Sequence, residues 1–381
     1  MRNENIYQSI MPGVYIVADN IYSPIGVTTA ENFARIKQGI SGIKQHHDAA
    51  LADEPVYVSL FDKVDNDLRY TRFEQLLIAS VKDALKDSGE IAADEKTVLI
   101  ISSTKGNISL LETEPDDPEL NSRIALPASA KLVAEHFGFV NTPVVVSNAC
   151  ISGIMAILTG MRLIQSGQYE NAVITGADVI TKFVLSGFQS FQAISPKPCK
   201  PFDINREGIT LGEGAATIIL SANAKYAGRI KVISGAVSND ANHISAPSRT
   251  GEELCMAIEK TLADARLKTG DIDLISAHGT ATSYNDEMEA KAIALAGLDK
   301  TPANSLKGYY GHTLGAAGLI ESIISIQSLK ENLILPTLGF EIMGVTNPIN
   351  ICSELTEVPL QTCLKTASGF GGCNGAVVFS K

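Results

Sequence analysis

Short runs of β-branched and apolar residues alternate with longer stretches of helical periodicity along most of the chain. VYIVADNI (14–21), TVLIIS (97–102), PVVVSN (143–148), NAVITGAD (171–178) and ATIIL (216–220) read as strands. Between them, 71–87 and 150–166 carry apolar residues at helical spacing. The second half repeats the order. RIKVISGAV (229–237) is followed by a helix over 251–265, DIDLISA (271–277), helices over 285–296 and 315–330, and GAVVFS (375–380). Such alternation predicts an α/β protein with mainly parallel sheets covered by helices. The likeness of the halves predicts an internal duplication joined near 221–228. ETEPDDPELN (112–121) and SPKPCKP (195–201) read as surface loops.

A chain of 381 residues holds either two domains or one large α/β unit. Apolar residues make up 45% and charged ones 19%, which excludes a disordered or fibrous chain. The net charge of −11 argues against general binding to a phosphate backbone. No stretch approaches 18 consecutive apolar residues, so no membrane span is expected. The opening MRNENIYQSIMPG lacks an apolar core, so no secretion signal is expected. Six cysteines (150, 199, 255, 352, 363 and 373) show neither Cys-x-x-Cys spacing nor the density of a disulfide scaffold. A reducing cytoplasm is the expected setting.

Candidate chemistry gathers at junctions between elements. Cys150 ends VVVSNAC and precedes a nearly all-apolar helix, where helix-terminal N–H groups favour a thiolate. An inert buried thiol is the competing reading. His278 closes the strand DIDLISA, and strand ends in α/β sheets are where ligands meet side chains. His312 lies in the Gly-bounded NSLKGYYGHTLGAAG. Either histidine could equally be a hydrogen-bonded structural residue. No His-x-x-x-His pair supports a helical zinc site. Lys307 is either a charged neighbour of the site or a solvated loop lysine. Glu321 falls within apolar AAGLIESIIS, so a link to Lys307 or His312 is expected unless it is exposed. Asp286 and Glu289 open the next helix, where they could simply favour its dipole. SGFGGCNG (368–375) allows close backbone approach around Phe370, or is merely a tight turn. The chain has no dinucleotide fingerprint, Walker-A motif or Gly-x-Ser-x-Gly elbow.

SNACISG, SAHGTATSYNDEMEA, NSLKGYYGHTLGAAG and SGFGGCNG, in that order and joined by CKPFDINREGITLGEGAA (199–216), resemble the signature set of elongating β-ketoacyl-[acyl carrier protein] synthases. The likeness runs from about residue 10 to the C-terminus. It implies the thiolase fold, with two βαβαβαββ halves forming a five-layered α-β-α-β-α sandwich. Residues 1–224 would carry the nucleophile and 225–381 both histidines. The resemblance casts Cys150 as the nucleophile that takes an acyl chain from phosphopantetheine. His278 and His312 become the pair that supports decarboxylation of malonyl-carrier protein. Backbone N–H groups of Cys150 and Phe370 would form an oxyanion hole, with Phe370 also as a gate. Lys307 and Glu321 match support residues, and Asp286 and Glu289 an acidic pair beside the first histidine. No cofactor is implied beyond the carrier's phosphopantetheine. The implied partners are acyl carrier protein and a second subunit, either identical or resembling a chain-length factor.

The chain departs from that pattern at Ile151, Tyr309, Tyr310, Ser368 and Cys373, which leaves acyl specificity open between fatty-acid synthesis and a specialised polyene or polyketide-type pathway. Cys–His–His separates it from initiating synthases, with Cys–His–Asn, and from thiolases, with a second catalytic cysteine. A coenzyme A-dependent thiolase using Cys373 is the enzymatic alternative, and a non-catalytic chain-length or scaffold subunit the other. Arg69 and Arg72 are candidates for carrier-protein docking, or part of a solvated face.

Overall fold

The computed structural model describes residues 12–381 except 63–66, 68, 90 and 115–117. Most of the opening stretch read for a secretion signal lies outside them. The first half comprises β1 (Tyr15–Tyr22), α1 (Arg72–Ser88), β2 (Thr97–Ser102), α2 (Leu126–Phe137), β3 (Val144–Val146), α3 (Ser152–Gln165), β4 (Asn171–Asp178), α4 (Lys182–Ser190) and β5 (Gly214–Ser221). The second comprises β6 (Lys231–Asn239), α5 (Glu252–Ala265), β7 (Leu274–Ser276), α6 (Ser283–Leu295), β8 (Ala303–Asn304), α7 (Ala317–Glu331), β9 (Thr362–Gly369) and β10 (Cys373–Ser380).

These strands line up as β8-β7-β9-β10-β6-β1-β5-β4-β2-β3. Each half contributes its third, second, fourth, fifth and first strand in that order, so the same topology occurs twice. β2 is parallel to β3 and β4, and β7 is parallel to β8 and β9. The remaining pairs, β4·β5, β5·β1, β1·β6, β6·β10 and β10·β9, are antiparallel. The expectation of mainly parallel sheets is therefore corrected. β9 and β10 are joined by the tight turn around Phe370, and a tight hairpin can only pair its strands antiparallel.

Alternation along the strands separates three apolar layers. In β2, Leu99 and Ile101 pack outward with Leu76, Leu77 and Val81 of α1 and Val133 of α2. Val98 and Ile100 face inward with Ile154, Ile157 and Leu158 of α3 and Ile320, Ile323 and Ile324 of α7. In β10, Val377 and Phe379 join that inner layer, while Ala376 and Val378 meet Leu254 and Ile258 of α5 and Ile293 of α6. The layers thus run helix, sheet, helix, sheet, helix, as the thiolase fold requires. α7 is apolar nearly all round because it lies between both sheets, buried from Ala317 to Ile326. Its Gly318 meets Gly153 of α3: a Cβ on Gly153 would lie 2.7 Å from Leu319 N, and one on Gly318 2.7 Å from Ile154 N. The two central helices therefore touch backbone to backbone.

The two predicted loops differ. Around 112–121, short helices Leu110–Thr113 and Leu120–Ile124 flank exposed residues. The 195–201 stretch is not simply a surface loop, because Ser195, Cys199 and Pro201 turn inward. Cys199 N–H donates to Thr210 Oγ1 at 3.0 Å and its thiol to Lys307 O at 3.4 Å. No helix among the described residues is long and apolar enough to cross a membrane.

Candidate active site

Three chain segments converge where the halves meet. Cys150 stands between β3 and α3 in a turn pinned by Ser152. The Ser152 hydroxyl accepts Asn148 N–H at 2.8 Å and donates to Ala149 O at 2.6 Å. Ala149 is held at φ 44°, a left-handed conformation costly for a residue with a Cβ. His278 follows β7. His312 precedes α7, and its N–H donates to Thr210 O at 2.7 Å while its carbonyl accepts Gly212 N–H at 3.1 Å. Ala281 (φ 63°) and Leu314 (φ 50°) strain the two histidine loops in the same way. Backbone strain of this kind clusters at functional sites.

The Cys150 Sγ and one ring nitrogen from each of His278 and His312 lie within 4.8 Å of one another, all three residues buried. The rings meet edge-on with centroids 5.1 Å apart. Neither nitrogen of His312 has a hydrogen-bond partner among the described residues. Burial first, then Lys307, holds both imidazoles well below their usual pKa, so both are neutral. Burial pushes the Cys150 thiol up to about 12, with Cys373 adding to it. Burial thus opposes the thiolate that a helix terminus favours. The thiol needs a base at hand, and the unpartnered His312 ring stands within 4.8 Å of it.

Lys307, on the short helix Lys307–Tyr310, is fully buried rather than solvated. Its Nζ binds Glu321 Oε1 and lies 3.5 Å from His278 Nδ1. Glu321 is therefore linked to Lys307. Asp286 and Glu289 do more than favour a helix dipole. Glu289 accepts the N–H groups of His278 (2.7 Å) and Gly279 (2.8 Å), and Asp286 those of Thr280 (2.9 Å) and Phe202 (2.7 Å). Burial raises the Asp286 carboxyl to about 6.

Phe370, in the β9–β10 turn, stacks on Phe188 at 5.5 Å and meets Phe191 edge-on at 5.4 Å. Gly369 beside it admits no side chain, since a Cβ would lie 2.9 Å from Cys150 N. That contact brings the turn against the Cys150 backbone. Neither the Cys150 nor the Phe370 N–H meets an acceptor among the described residues. Cys373 sits at this same turn, its thiol within donating distance of Asn148 O (3.7 Å) and Phe370 O (3.4 Å), and does not line the cavity. The resulting cavity of about 290 Å³ has an apolar wall of Phe188, Phe191, Ile209 and Phe370. Thr280, Thr282 and Asn285 line its polar side, and Cys150, His278 and His312 also line it.

Two residues escaped the sequence reading. Asp178, ending β4, accepts Ser103 Oγ (2.7 Å), Thr104 N and Lys105 N, and the Gly315 N–H (2.6 Å) in the loop after His312. Lys365 is fully buried in β9, with Nζ 2.8 Å from Glu321 Oε2. An acid closing the β-branched run NAVITGAD and a lysine within TCLKTASG, just before the Phe370 turn, were the available signals. Arg69 is exposed and paired with Asp67, whereas Arg72 binds the buried Glu213 carboxylate.

Residues 11–225 match the family described as Beta-ketoacyl synthase, N-terminal domain, and 230–341 match Beta-ketoacyl synthase, C-terminal domain. The 3-oxoacyl-[acyl-carrier-protein] synthase 2 of Vibrio cholerae is 29% identical over 414 residues, covering 97% of this chain and 99% of that protein. Its Staphylococcus aureus counterpart is 27% identical over 405 residues, covering 97% and 98%. The ishigamide ketosynthase/chain length factor superposes with a TM-score of 0.88 at 25% identity, covering 97% of this chain and 99% of that one.

Proposed function

The chain belongs to the β-ketoacyl synthase family, and on that premise we propose how its cavity residues divide the work of a 3-oxoacyl-[acyl carrier protein] synthase, an acyltransferase. Cys150 Sγ attacks the thioester of an acyl chain carried on phosphopantetheine, forming the acyl-Cys150 thioester and releasing the carrier thiol. His312 takes the thiol proton and passes it to the departing phosphopantetheine sulfur, while the N–H groups of Cys150 and Phe370 hold the developing oxyanion. After malonyl-carrier protein enters, its carboxylate leaves as CO₂. The electron pair left behind becomes an enolate, whose oxygen receives hydrogen bonds from His278 and His312. The enolate carbon attacks the acyl-Cys150 carbonyl, forming the new C–C bond, and the Cys150 sulfur leaves. The product is a β-ketoacyl-carrier protein two carbons longer. Lys307 and Glu321 keep His278 in place, and Asp286 and Glu289 hold its loop.

One observation carries this reading: a thiol and two neutral imidazoles surround one buried cavity with their reactive atoms within 4.8 Å. The reaction needs a nucleophile and two donors there, and no dissociable cofactor beyond the carrier's phosphopantetheine. We further assign acyl carrier protein as partner and a dimeric assembly in a reducing compartment such as the cytoplasm. A chain-length-factor-like second subunit is supported by the similar ishigamide ketosynthase/chain length factor.

Intact mass of the wild type and Cys150→Ala tests the proposal, after mixing with acyl- and then malonyl-carrier protein. An acyl adduct on the wild type alone, followed by β-ketoacyl product, is expected. No adduct over a range of acyl chains, alone or with co-expressed neighbouring subunits, would overturn it.

A further inference from the structure

Lys365 occupies the middle of β9, in register with Ser276 of β7. Its Nζ lies 2.6 Å from Thr366 O, 3.1 Å from Ser276 O, 3.3 Å from Ala277 O and 2.8 Å from Glu321 Oε2. All four neighbours are acceptors. A neutral amine would turn a lone pair toward one of them, so the group is held as an ammonium. Glu321 thus carries two ammonium groups, Lys365 on Oε2 and Lys307 on Oε1. One negative charge between two positive ones leaves this buried triad net positive, directly behind the histidines.

We propose that Lys365 is a positioning residue for His278 and His312, completing a Lys–Glu–Lys triad that fixes their loops and sets the electrostatic field on both rings. The inference rests on the functional reading above. Three elements meet at this ammonium. It belongs to β9, it binds the carbonyls that end β7 immediately before His278, and it anchors Glu321 on α7, the helix that follows His312. Glu321 in turn holds Lys307 at 3.5 Å from His278 Nδ1. Without Lys365, the carboxylate has one partner instead of two and the carbonyls of Ser276 and Ala277 lose a charged donor.

The field acts in one direction. A positive charge in the interior opposes protonation of a nearby imidazole. Lys365 acts on both rings in this sense, after burial and Lys307 for His312, and after burial, Lys307 and the neighbouring His312 for His278. The other charged or titratable groups around the rings are Cys150 before α3, Tyr310 beside Lys307, Glu321 on α7, Asp286 and Glu289 on α6, and Asp178 at the end of β4. Of these, only the carboxylates oppose the effect. Asp286, Glu289 and Asp178 are engaged with backbone N–H groups of the loops. The triad therefore keeps the imidazoles as neutral donors for an enolate, and its net charge favours an anion forming in the cavity.

The test compares wild type with Lys365→Met and Lys365→Gln in two readouts. The first is the pH dependence of malonyl-carrier protein decarboxylation. The second is the NMR titration of the His278 and His312 rings, which needs no turnover. Loss of the charge is expected to move the acid-side midpoint of the rate profile, and both ring titrations, upward by about one pH unit. That shift lowers activity about tenfold below the midpoint, with KM for the malonyl carrier changed less than about threefold. A uniform loss of rate with unmoved midpoints and ring titrations would overturn the proposal, as would failure of both variants to fold, since Lys365 would then be structural only. Moved ring titrations in a chain whose wild type never decarboxylates would sink the functional reading while leaving the triad's field in place.

Discussion

The carboxylate of Glu289 accepts the backbone N–H of His278 at 2.7 Å, so the acid holds this histidine by its main chain and leaves the ring free to face the cavity. The same group takes Gly279 N–H and the Thr366 hydroxyl. Glu289→Gln would turn an amide donor toward one of these donors. A loss of about 1–3 kcal/mol in stability is expected. Because the defect lies in the loop, kcat should fall while KM stays close to wild type. Thermal melts and steady-state rates check both.

Cys373 is buried, bonded to two carbonyls and outside the cavity lining. Cys373→Ala should keep condensation within about threefold of wild type and cost about 1 kcal/mol in stability. Condensation of acetyl-coenzyme A that disappears in this variant would instead make the chain a thiolase. Single-turnover acylation followed by product mass distinguishes the two.

The two arginines considered for carrier docking answer differently to charge reversal. Arg72→Glu sets a second carboxylate against Glu213, whose side chain is only 3% exposed, and should lower the melting temperature by several degrees. Arg69→Glu breaks only exposed contacts, the pair with Asp67 and the approach to the Tyr70 ring, and should leave the melting temperature close to wild type. Only Arg69→Glu therefore reports cleanly on docking, through the KM for carrier protein.

Glu74 links protein stability to pH. Burial opposes its ionisation, but Arg123, Thr71 N–H, Ser129 and Asn107 outweigh that, and the carboxyl lies at about 2. A folded value below the unfolded one, about 4.3, means stability fully present above the unfolded value and lost as pH falls toward 2. The contribution is on the order of 2–3 kcal/mol, allowing for partial solvent screening at Arg123. Wild type and Arg123→Ala should therefore differ in urea midpoint at pH 7, with the difference shrinking below about pH 4 and vanishing only below about pH 2.

Much of the fold was legible because its strands are bounded apolar runs. β2 and β4 fall where TVLIIS and NAVITGAD predict them. β9 was missed because Lys365 and two threonines break TCLKTASG into something without an apolar run. The lysine is compatible with the strand only because Glu321, far away in sequence, comes to meet it. Strand direction was equally hidden, since a run of β-branched residues reads the same either way. At the site, Cys150, His278 and His312 were singled out by the motifs around them, and folding brings the three together. Asp178 carries no such motif, and its role depends on the Gly315 N–H that folding brings to it. The thiol was half legible for a related reason: a helix terminus is visible in sequence, whereas the depth at which it is buried is not.

The backbone contact between Gly153 and Gly318 sets a hard stop between the segment that delivers Cys150 and the one that delivers His312. Side-chain packing gives a little under strain, but two main chains at van der Waals distance do not. The spacing between sulfur and imidazole is thereby insulated from substitutions in the outer layers, where sequence can drift at the expense of stability alone. Conversely, a single methyl at either glycine would act as a wedge. It would open both halves of the molecule around the reaction centre at once, without altering any group that takes part in the chemistry.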